Sequence, residues 1–520
     1  MTPILELSGI TKRFPGVLAN DHIDLTLEEG EIHALLGENG AGKTTLMNIL
    51  YGLYQPTEGK IHVRGKEIAV HSPSDAIRVG IGMVHQHFML IPVFTVTENV
   101  MLGEETSKFG FLDRTSAAAK IREISEKYGL EVDPDSYIRD LPVGVQQRVE
   151  IIKLLYRQAD ILIFDEPTAV LTPQEADELF KIMRSLAKQG KSIIFITHKL
   201  REVLDISDRI TVIRRGKVVG STRPEDADQS KLAEMMVGRP VDLDLEKAIS
   251  KPTDLVLDVK NLVVTNQLNQ VAVDEISFQV KRGEIVGIAG VQGNGQTELV
   301  EAITGLRKVE SGSISLLDEN IANASPRKIT ELGSGHIPED RQRDGLVLGF
   351  PVMENLILNM YYHKPYAEGI NMKWDKALTN AQQLITDFDI RTPSAETKAG
   401  SLSGGNQQKV IVARELSRPL NFLVASQPTR GLDVGSIEYI HKQILKRRDD
   451  GVAVLLVSTE LDEILQLSDR IAVMYRGKIV AIVPAGEAHK NYIGLLMAGV
   501  SVEHAKEQVG VPQKMEVQHE

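Results

Sequence analysis

The sequence predicts an α/β protein built from two tandem copies of one domain, each copy carrying a helical subdomain. Three observations lead to this fold class. The chain has 520 residues, which is too long for a single hydrophobic core. Its two halves repeat one another at a nearly constant separation. Within each half, short apolar runs typical of buried strands alternate with amphipathic helical patterns, an order typical of layered α/β domains.

The internal repeat sets the order of the elements in both copies. The segment 31–37 (EIHALLG) is echoed by 284–290 (EIVGIAG), 253 positions later. Further along, 207–210 and 468–471 both read SDRI, 261 positions apart. The change in separation indicates about eight additional residues in the middle of the second copy.

Each copy is expected to open with strand-like segments, followed by a glycine-rich turn and a helix that begins near Lys43 or Gln296. A central helical stretch follows, and buried strands then alternate with amphipathic helices. We expect these buried strands at 161–164, 192–197, 422–425 and 452–457.

The domain boundaries are expected where charge and proline accumulate. We place the first domain at 1–240, a linker at 241–254, the second domain at 255–500 and a polar, loosely ordered tail at 501–520.

The composition excludes several classes of protein. There is no apolar run near the roughly 18 residues that a membrane span requires, and the start of the chain does not resemble a signal peptide, so a cytoplasmic protein is expected. The sequence holds no cysteine, which excludes disulfides and thiolate metal sites. A net charge of −12 argues against a general affinity for nucleic acid.

A phosphate-binding loop is predicted in the first copy. The segment 37–44 (GENGAGKT) matches G-x-x-x-x-G-K-[ST] and lies between a buried strand and a helix. Glycines allow backbone N–H groups to approach phosphates, and the helix N-terminus favours an anion. Lys43 would reach the β and γ phosphates, and the Thr44 hydroxyl would bind Mg²⁺.

Two carboxylates end a later strand of the first copy. The run 161–164 is apolar and is followed by Asp165 and Glu166. A strand that ends in two acids is often a solvated strand end. Downstream of a phosphate loop, however, the pattern predicts Asp165 as a Mg²⁺ ligand and Glu166 as the group that polarises the attacking water.

Together these motifs resemble the ATPase subunits of ABC transporters, over nearly the whole chain and in duplicate. The resemblance implies two tandem P-loop NTPase domains, with ATP and Mg²⁺ as ligands. It implies that Gln86 binds the metal and water and acts in catalysis, that His198 contacts the γ-phosphate, and that Phe14 stacks on adenine; the less favoured alternative for Phe14 is a core residue. The nucleotide-binding residues of the first copy would be Phe14, Gly37, Glu38, Asn39, Gly40, Ala41, Gly42, Lys43, Thr44 and Thr45.

In that family each ATP lies between the phosphate loop of one domain and the L-S-G-G signature of the other. The second copy has this signature at 402–405, so Ser403, Gly404 and Gly405 would complete the first copy's site. The first copy has Pro142 in place of the serine, which offers neither a hydroxyl nor an N–H. Thr172 replaces the aspartate that the second copy keeps as Asp433.

The second copy departs from the pattern at each catalytic position. The glycine spacing and the loop threonine remain, but the lysine, both carboxylates, the loop glutamine, the histidine and the aromatic residue are replaced. The residues at these positions are Gln296, Thr297, Glu339, Ser426, Gln427, Thr459 and Gln267. All the departures fall in one composite site, so we expect one hydrolytic site and one degenerate site.

A single chain of two such domains resembles the importers of simple sugars and nucleosides. The segments 141–150 and 427–433 favour the nucleoside-uptake branch over a ribose or galactose importer. The resemblance implies two transmembrane permease subunits, an extracytoplasmic substrate-binding lipoprotein and a peripheral position at the cytoplasmic face of the cell membrane. An exporter ATPase and a soluble tandem-ATPase translation factor are the alternatives; the dismantled second site and the acidic charge disfavour the translation factor. A related DNA-repair ATPase would bring zinc-binding cysteines, which the sequence lacks.

Overall fold

We describe a computed structural model of the chain. It describes residues 3–85, 88–105, 107–108, 111–168, 171, 173–242, 245 and 247–509. Two compact units are formed, one by 1–243 together with 433–435 and the other by 244–432 together with 436–520.

The first unit contains the following strands and helices in chain order: β1 (Leu5–Phe14), β2 (Val17–Leu27), β3 (Ile32–Leu36), α1 (Lys43–Leu50), β4 (Glu58–Val63), β5 (Lys66–Ile68), α2 (Pro73–Arg78), β6 (Ile81–Val84), α3 (Val96–Met101), β7 (Ser107–Lys108), β8 (Phe111–Leu112), α4 (Arg114–Tyr128), α5 (Val143–Tyr156), β9 (Ile161–Asp165), α6 (Pro173–Lys188), β10 (Ser192–Thr197), α7 (Leu200–Ile206), β11 (Arg209–Arg214), β12 (Lys217–Thr222) and α8 (Gln229–Val237).

The main sheet of the first unit has the order β12-β11-β3-β10-β9-β6. Its neighbours from β11 to β6 run parallel, and only β12 is antiparallel. Strands β3, β6, β9 and β10 are buried along their whole length. One face of the sheet packs against helices, and the other packs against α1, α2 and strands β1, β2 and β4. A second sheet, β2-β1-β4-β5, is antiparallel.

The helical subdomain of the first unit is formed by α3, α4 and α5. Helix α4 buries Ala117, Ile121, Ile124 and Tyr128, which share one face at a helical repeat. The Asp113 side chain caps its N-terminus, and a left-handed glycine ends it. This face packs into the apolar core that also contains the main sheet, so the subdomain is anchored to the strands that carry the site.

The second unit contains the following elements: β13 (Leu255–Thr265), β14 (Val271–Lys281), β15 (Ile285–Ala289), α9 (Gln296–Ile303), β16 (Ser311–Leu316), β17 (Glu319–Asn320), α10 (Pro326–Glu331), β18 (Ser334–Ile337), α11 (Val352–Leu356), β19 (Ala367–Glu368), β20 (Asn371–Met372), α12 (Trp374–Asp387), α13 (Gly404–Leu416), β21 (Phe422–Ser426), α14 (Val434–Asp449), β22 (Ala453–Ser458), α15 (Leu461–Leu467), β23 (Arg470–Tyr475), β24 (Lys478–Pro484), α16 (Lys490–Met497) and α17 (Val502–Val509).

The second unit repeats the topology of the first. Its main sheet has the order β18-β21-β22-β15-β23-β24, and its antiparallel sheet has the order β14-β13-β16-β17. Strands β15, β21 and β22 are buried throughout. The predicted α/β fold with a helical subdomain in each copy, and the four predicted buried strands, are therefore confirmed.

The prediction of a loosely ordered tail from residue 501 is wrong for residues 502–509. These residues form α17, which packs against α16 and buries Ala505 completely. An apolar face formed by Val502, Ala505 and Val509 joins the core of the second unit. The polar composition concealed this face because only every third or fourth residue is apolar.

Candidate nucleotide-binding and hydrolysis site

The predicted catalytic residues of the first copy follow neighbouring strands at one edge of the main sheet. Gly37 follows β3, Glu166 follows β9 and His198 follows β10. In the parallel ladder Leu36 is paired with Thr197, and Asp165 with Ile196. The carboxyl ends of parallel strands meet at the same edge, where α/β proteins bind their ligands. The strand order thus gathers residues that are about 160 positions apart in the sequence.

Two predicted positions of the first copy lie outside the described residues. These are Gln86, which follows β6 by two positions, and Thr172. Their roles stay predictions from the sequence.

Two glycines of the first phosphate loop are required by close backbone contacts. A Cβ at Gly37 would lie 2.3 Å from the carbonyl oxygen of Ile213, and one at Gly42 would lie 2.3 Å from that of Ala19. Gly42 also has a φ of 105°, which residues with side chains rarely adopt. The side-chain amide of Asn20 donates to the Gly42 carbonyl over 3.1 Å. The neighbouring strand β2 thus fixes the loop shape immediately before α1.

Lys43 lies within this loop rather than in solvent. Its ammonium group donates to the carbonyl oxygens of Gly37 at 2.6 Å and Glu38 at 3.0 Å, and the residue is only 5% exposed. Burial lowers its pKa, while the charges of Glu166, Asp165 and Glu38 act in the opposite direction. The two threonines that follow it lie in the first turn of α1, one exposed and one half-buried. The predicted loop residues are therefore contiguous at the start of that helix.

Glu166 and His198 are in direct contact. The Nδ1 atom of His198 lies 3.0 Å from Oε1 of Glu166. Glu166 has a φ of 46°, in the left-handed region, and its N–H donates to the carbonyl of Ile196 on the next strand at 2.9 Å. Such backbone strain in a residue with a side chain persists where the surroundings enforce it, and it clusters at functional sites.

The two carboxylates differ in their affinity for protons. Burial, together with the adjacent Glu166 charge, raises the pKa of Asp165 to about 6, although Lys43 opposes this shift. Burial also acts to raise the pKa of Glu166. The hydrogen bond from His198 and the charges of His198, Lys43 and Lys199 outweigh it and leave the pKa of Glu166 below its ordinary value. At neutral pH the pair carries concentrated negative charge in a buried position.

The predicted adenine-stacking residue, Phe14, ends β1 and is half-buried. Its ring meets Tyr54 edge to face, with centroids 5.5 Å apart, and Lys12 Nζ lies 5.2 Å from the Phe14 centroid. Phe14 is thus a surface aromatic held by neighbours rather than a residue of the central core. In the second copy Gln267 lies in the turn between β13 and β14, which the backbone hydrogen bond from Asn266 to Gln270 closes.

Two supporting residues of the first site were missed by the sequence analysis. Gln147 on α5 donates its side-chain amide to the carbonyl of Pro167 at 2.9 Å. Glu202 accepts from the hydroxyls of Thr168 at 2.8 Å and Thr197 at 3.3 Å. These contacts fix the segments that follow Glu166 and precede His198.

The repeat itself carried the signal that could have identified them. In the second unit Gln408 donates to the carbonyl of Pro428 at 2.9 Å, and Thr429 donates to Glu463 at 2.7 Å. All four positions are 261 residues after their counterparts and keep the same residue type. Identity between the copies outside the catalytic motifs therefore indicates shared support of the sheet edge.

The second copy keeps the loop shape without the lysine. A Cβ at Gly295 would lie 2.1 Å from the carbonyl oxygen of Ala272, and Gly295 has a φ of 100°. Gln296 begins α9 and is 6% exposed. Among the described residues, its Nε2 atom is buried without a hydrogen-bond partner.

At the strand end, the second copy has the same backbone conformation as the first but lacks the two carboxylates. Ser426 ends β21, and Gln427 has a φ of 48° with its N–H donating to the carbonyl of Val457 at 2.7 Å. The Thr459 hydroxyl donates to Oε1 of Gln427 at 3.2 Å. This neutral pair replaces the carboxylate and imidazole of the first copy.

The remaining degenerate positions form a polar cluster. The Thr297 hydroxyl donates to one oxygen of Glu339 at 3.3 Å, and Arg430 donates to the other at 2.6 Å. Arg341 in turn donates to the carbonyl of Arg430 at 2.9 Å. Arg430 was not among the predicted site residues.

The two signature positions also differ. Ser403 stands at the N-cap of α13, where its Oγ accepts from Asn406 at 2.9 Å, and Gly404 begins the helix. In the first unit Pro142 stands at the N-cap of α5; neither helix has a side-chain hydrogen bond at its cap. The N-terminus of α13 therefore carries a hydroxyl and glycine N–H groups, which suit an anion. The N-terminus of α5 lacks the hydroxyl.

The fold and the loop, carboxylate and histidine geometry define a tandem P-loop ATPase. A family model described as ABC transporter matches residues 20–169 and 273–430, once in each copy. The chain belongs to the ABC transporter family, as the resemblance in the sequence had predicted, and it is an ATP-hydrolysing member. No helix among the described residues has the length and apolarity to cross a membrane.

Two curated relatives match nearly the whole chain. The nucleoside import ATP-binding protein NupA of Lactococcus lactis subsp. cremoris (strain MG1363) is 55% identical over 499 residues, covering 96% of this chain and 99% of that protein. The guanosine import ATP-binding protein NupO of Bacillus subtilis (strain 168) is 53% identical over 505 residues, covering 97% and 99%.

A solved structure shares the tandem fold. The archaeal ribosome recycling factor aABCE1, in complex with the ribosomal stalk protein aP1, is 20% identical with a TM-score of 0.59, covering 95% of this chain and 92% of that chain. This likeness concerns the fold alone.

Proposed function

We propose that this chain is the ATP-hydrolysing subunit of an importer for nucleosides. It would act at the cytoplasmic face of the cell membrane, with two transmembrane permease subunits and an extracytoplasmic substrate-binding lipoprotein. The observation that carries this proposal is the identity of 55% and 53%, over nearly the full length, to proteins named for nucleoside and guanosine import. The segments 141–150 and 427–433, within the matched region, favour the same branch.

The first copy would hydrolyse ATP with groups that its sheet edge already holds together. Loop N–H groups and Lys43 would hold the phosphates. Glu166, ionised because His198 contacts it, would orient the attacking water and accept its proton. His198 would contact the γ-phosphate from its place beside Glu166.

Mg²⁺ fits the donors of the first site. Asp165 is a buried carboxylate whose pKa is raised to about 6 by burial and by the neighbouring Glu166 charge, so a cation would relieve the repulsion between the two. Thr44 adds a hydroxyl, and Gln86 is expected to contribute an amide oxygen. When bound, the ion would neutralise charge that develops on the transferring phosphoryl group. Asp165, Thr44 and Gln86 would hold it in place.

We infer that Ser403, Gly404 and Gly405 serve the first copy's phosphates, as the family resemblance implies. The N-cap hydroxyl of Ser403 and the glycine N–H groups in the first turn of α13 are suited to an anionic oxygen. A variant Ser403→Ala should reduce ATP turnover, whereas Pro142→Ala should not. Equal loss in both would contradict the assignment.

Uptake of labelled substrates tests the transport proposal. Cells that lack this chain would be complemented with the natural sequence or with Lys43→Ala and supplied with labelled guanosine, adenosine, ribose or galactose. We expect uptake of purine nucleosides only with the natural sequence. Restored uptake of ribose or galactose without nucleoside uptake would replace the proposal with a simple-sugar importer.

A further inference from the structure

A guanidinium lies against the N-terminus of α13 in the second unit. The helix begins at Gly404, and a Cβ built on Gly404 would lie 2.7 Å from Nη2 of Arg341. The same nitrogen would be the nearest atom to a Cβ on Gly431, at 4.0 Å. The planar side chain of Arg341 therefore lies close to the backbone of two glycines, and one of them directly follows Ser403 of the signature.

The turn Arg341–Gly345 is fixed to α13, so the helix itself positions the guanidinium. The Asp340 carboxylate accepts from the N–H of Gln342 at 3.0 Å and shapes the start of the turn. The Gln342 amide donates to the side chain of Gln407 on α13 at 3.2 Å. The last carbonyl of the turn accepts from Arg414 on the same helix at 2.8 Å. Contacts at both ends of the turn thus hold Arg341 at the start of α13.

The positive charge of Arg341 has no acidic partner among the described residues. Its side chain makes one hydrogen bond there, from Nη1 to the carbonyl of Arg430 at 2.9 Å. Its Nε atom is buried without an acceptor. Burial lowers the pKa of Arg341, and the charge of Arg430 acts in the same direction although Asp340 opposes it. A partly buried cation without a counter-charge calls for an explanation.

The start of α13 adds positive potential at the same point. The helix has 13 residues, and the unsatisfied N–H groups of its first turn carry partial positive charge. A guanidinium at this end of a helix is unfavourable unless both groups face an anion. Asn406 donates to Oγ of Ser403 at 2.9 Å, so the serine hydroxyl keeps its own proton for another acceptor. Three kinds of donor therefore converge at the signature.

The first copy has the opposite charge at the matching helix. The residue 253 positions before Arg341 is Phe88, and the N-cap of α5 is Pro142. A Cβ on Gly144, in the first turn of α5, would lie 2.9 Å from Oε1 of Glu175. The N-terminus of α5 is thus beside a carboxylate, which repels phosphate, whereas that of α13 is beside a guanidinium. The cation accompanies the intact signature.

We propose that Arg341 is a catalytic residue of the hydrolytic site, where its Nη2 donates to the γ-phosphate together with the signature at the start of α13. The assignment rests on the proposed function, in which α13 serves the first copy's phosphates. In hydrolysis the water oxygen bonds to the γ-phosphorus, Glu166 accepts the water proton, and the bond to the β–γ bridging oxygen breaks with its electrons leaving on ADP. Arg341 transfers no proton and stabilises the charge on the transferring oxygens.

Steady-state phosphate release by the purified full-length chain tests the proposal. Arg341→Ala should lower kcat on the order of a hundredfold and leave KM for ATP unchanged, because the contact strengthens as charge develops in the transition state. Arg341→Lys keeps the charge without the planar group, so its kcat should lie between the two. An unchanged kcat in Arg341→Ala, or a raised KM with an unchanged kcat, would overturn the proposal.

Arg343→Ala is the matched control in the same turn. The Arg343 side chain is 72% exposed and pairs with Asp344 at 3.0 Å, away from any role in the proposal. Its removal should leave kcat and KM as they are in the natural chain. A loss of kcat equal to that of Arg341→Ala would assign the effect to folding of the turn and would count against a catalytic Arg341.

Chemical rescue separates charge from structure. Millimolar guanidinium chloride should restore part of the turnover of Arg341→Ala, since the free cation can take the place of the missing side chain. Urea has a similar planar shape without the charge and should restore none. Equal rescue by both compounds, or rescue by neither, would make Arg341 a structural residue.

The results can be separated from those that bear on the proposed function. If turnover falls in Ser403→Ala and not in Arg341→Ala, Arg341 alone is removed from the site and the proposed function stands. If the natural chain releases no phosphate with or without its permease partners, the proposed function itself fails.

Discussion

The two copies have the same backbone conformation at the phosphate loop and the strand end, but they carry side chains of different charge there. Both phosphate loops turn through a left-handed glycine that lies against a carbonyl of the adjoining strand. Both strand ends place a left-handed residue, Glu166 or Gln427, with its N–H donating to the next strand. At these positions the first copy carries an acid beside an imidazole, and the second carries an amide beside a hydroxyl. The comparison teaches that the same loop and strand-end backbone holds either an acid and an imidazole or an amide and a hydroxyl.

The largest expected difference between the copies concerns the residue after the strand end. Glu166→Gln should lower steady-state phosphate release by about 10²–10⁴-fold, because general-base action is lost. Gln427→Ala, the matched change in the second copy, should leave most of the turnover. Strong turnover in Glu166→Gln would break the comparison.

The next difference concerns the first residue of each loop helix. Lys43→Ala should reduce ATP turnover on the order of a hundredfold or more, since a positive charge on the phosphates is removed. Gln296→Ala, at the matching position, should produce a far smaller loss. Similar losses in the two variants, measured at saturating ATP, would show that the second loop contributes to turnover.

The loop glycines should show equal structural effects and unequal functional ones. Gly42→Ala and Gly295→Ala each place a methyl group against a carbonyl oxygen at 2.3 and 2.1 Å, in a backbone conformation unfavourable to alanine. Each should lower the free energy of unfolding by roughly 1–3 kcal/mol, as measured by denaturant titration. Only Gly42→Ala should also remove ATP turnover. Loss of turnover in both variants would contradict the assignment of hydrolysis to the first copy.

The last expected difference concerns pH and Asp165, and it affects stability alone. Its pKa is raised from 3.8 to about 6, so the folded state binds the proton more tightly than the unfolded state. Stability from this group is full below about pH 4 and is lost as the pH rises to about 6, by up to ~3 kcal/mol. Glu166, with a lowered pKa, has the opposite dependence and offsets part of the change.

Asp165→Asn isolates the Asp165 contribution. Relative to the natural chain in EDTA, the variant should gain thermal stability at pH 7.5 and little at pH 4.5. Ser426→Asn in the second copy is the control without a titrating group. A gain of the same size at both pH values would indicate packing rather than charge.

Much of the fold was predictable because the repeat tied each element to a second example. The strands at 161–164 and 422–425 were identified by their apolar runs, one in each copy. The tail helix was missed because Val502, Ala505 and Val509 are separated by polar residues. A short helix with so sparse an apolar face is recognised only when the surface that it covers is known.

The sequence predicted those site residues whose chemical role requires a particular residue type. It was less informative about residues that hold the site in place. Lys43, Glu166 and His198 each belong to a short local motif: a glycine-rich loop for Lys43 and the end of an apolar strand for the other two. Arg430 was missed because its partner Glu339 is 91 positions away, and nothing in the local sequence joins them. The pairing depends on adjacent strands β18 and β21, which only the folded sheet provides.

The left-handed backbone at Gln427 has a consequence for redesign of the molecule. A conformation that is unfavourable for a side-chain-bearing residue is adopted by Gln427, as it is by Glu166 in the first copy, because the neighbouring strand enforces it. A second hydrolytic site would therefore require new side chains at a few positions and no change in the backbone. Substitutions alone could in principle convert the second copy into a hydrolytic domain.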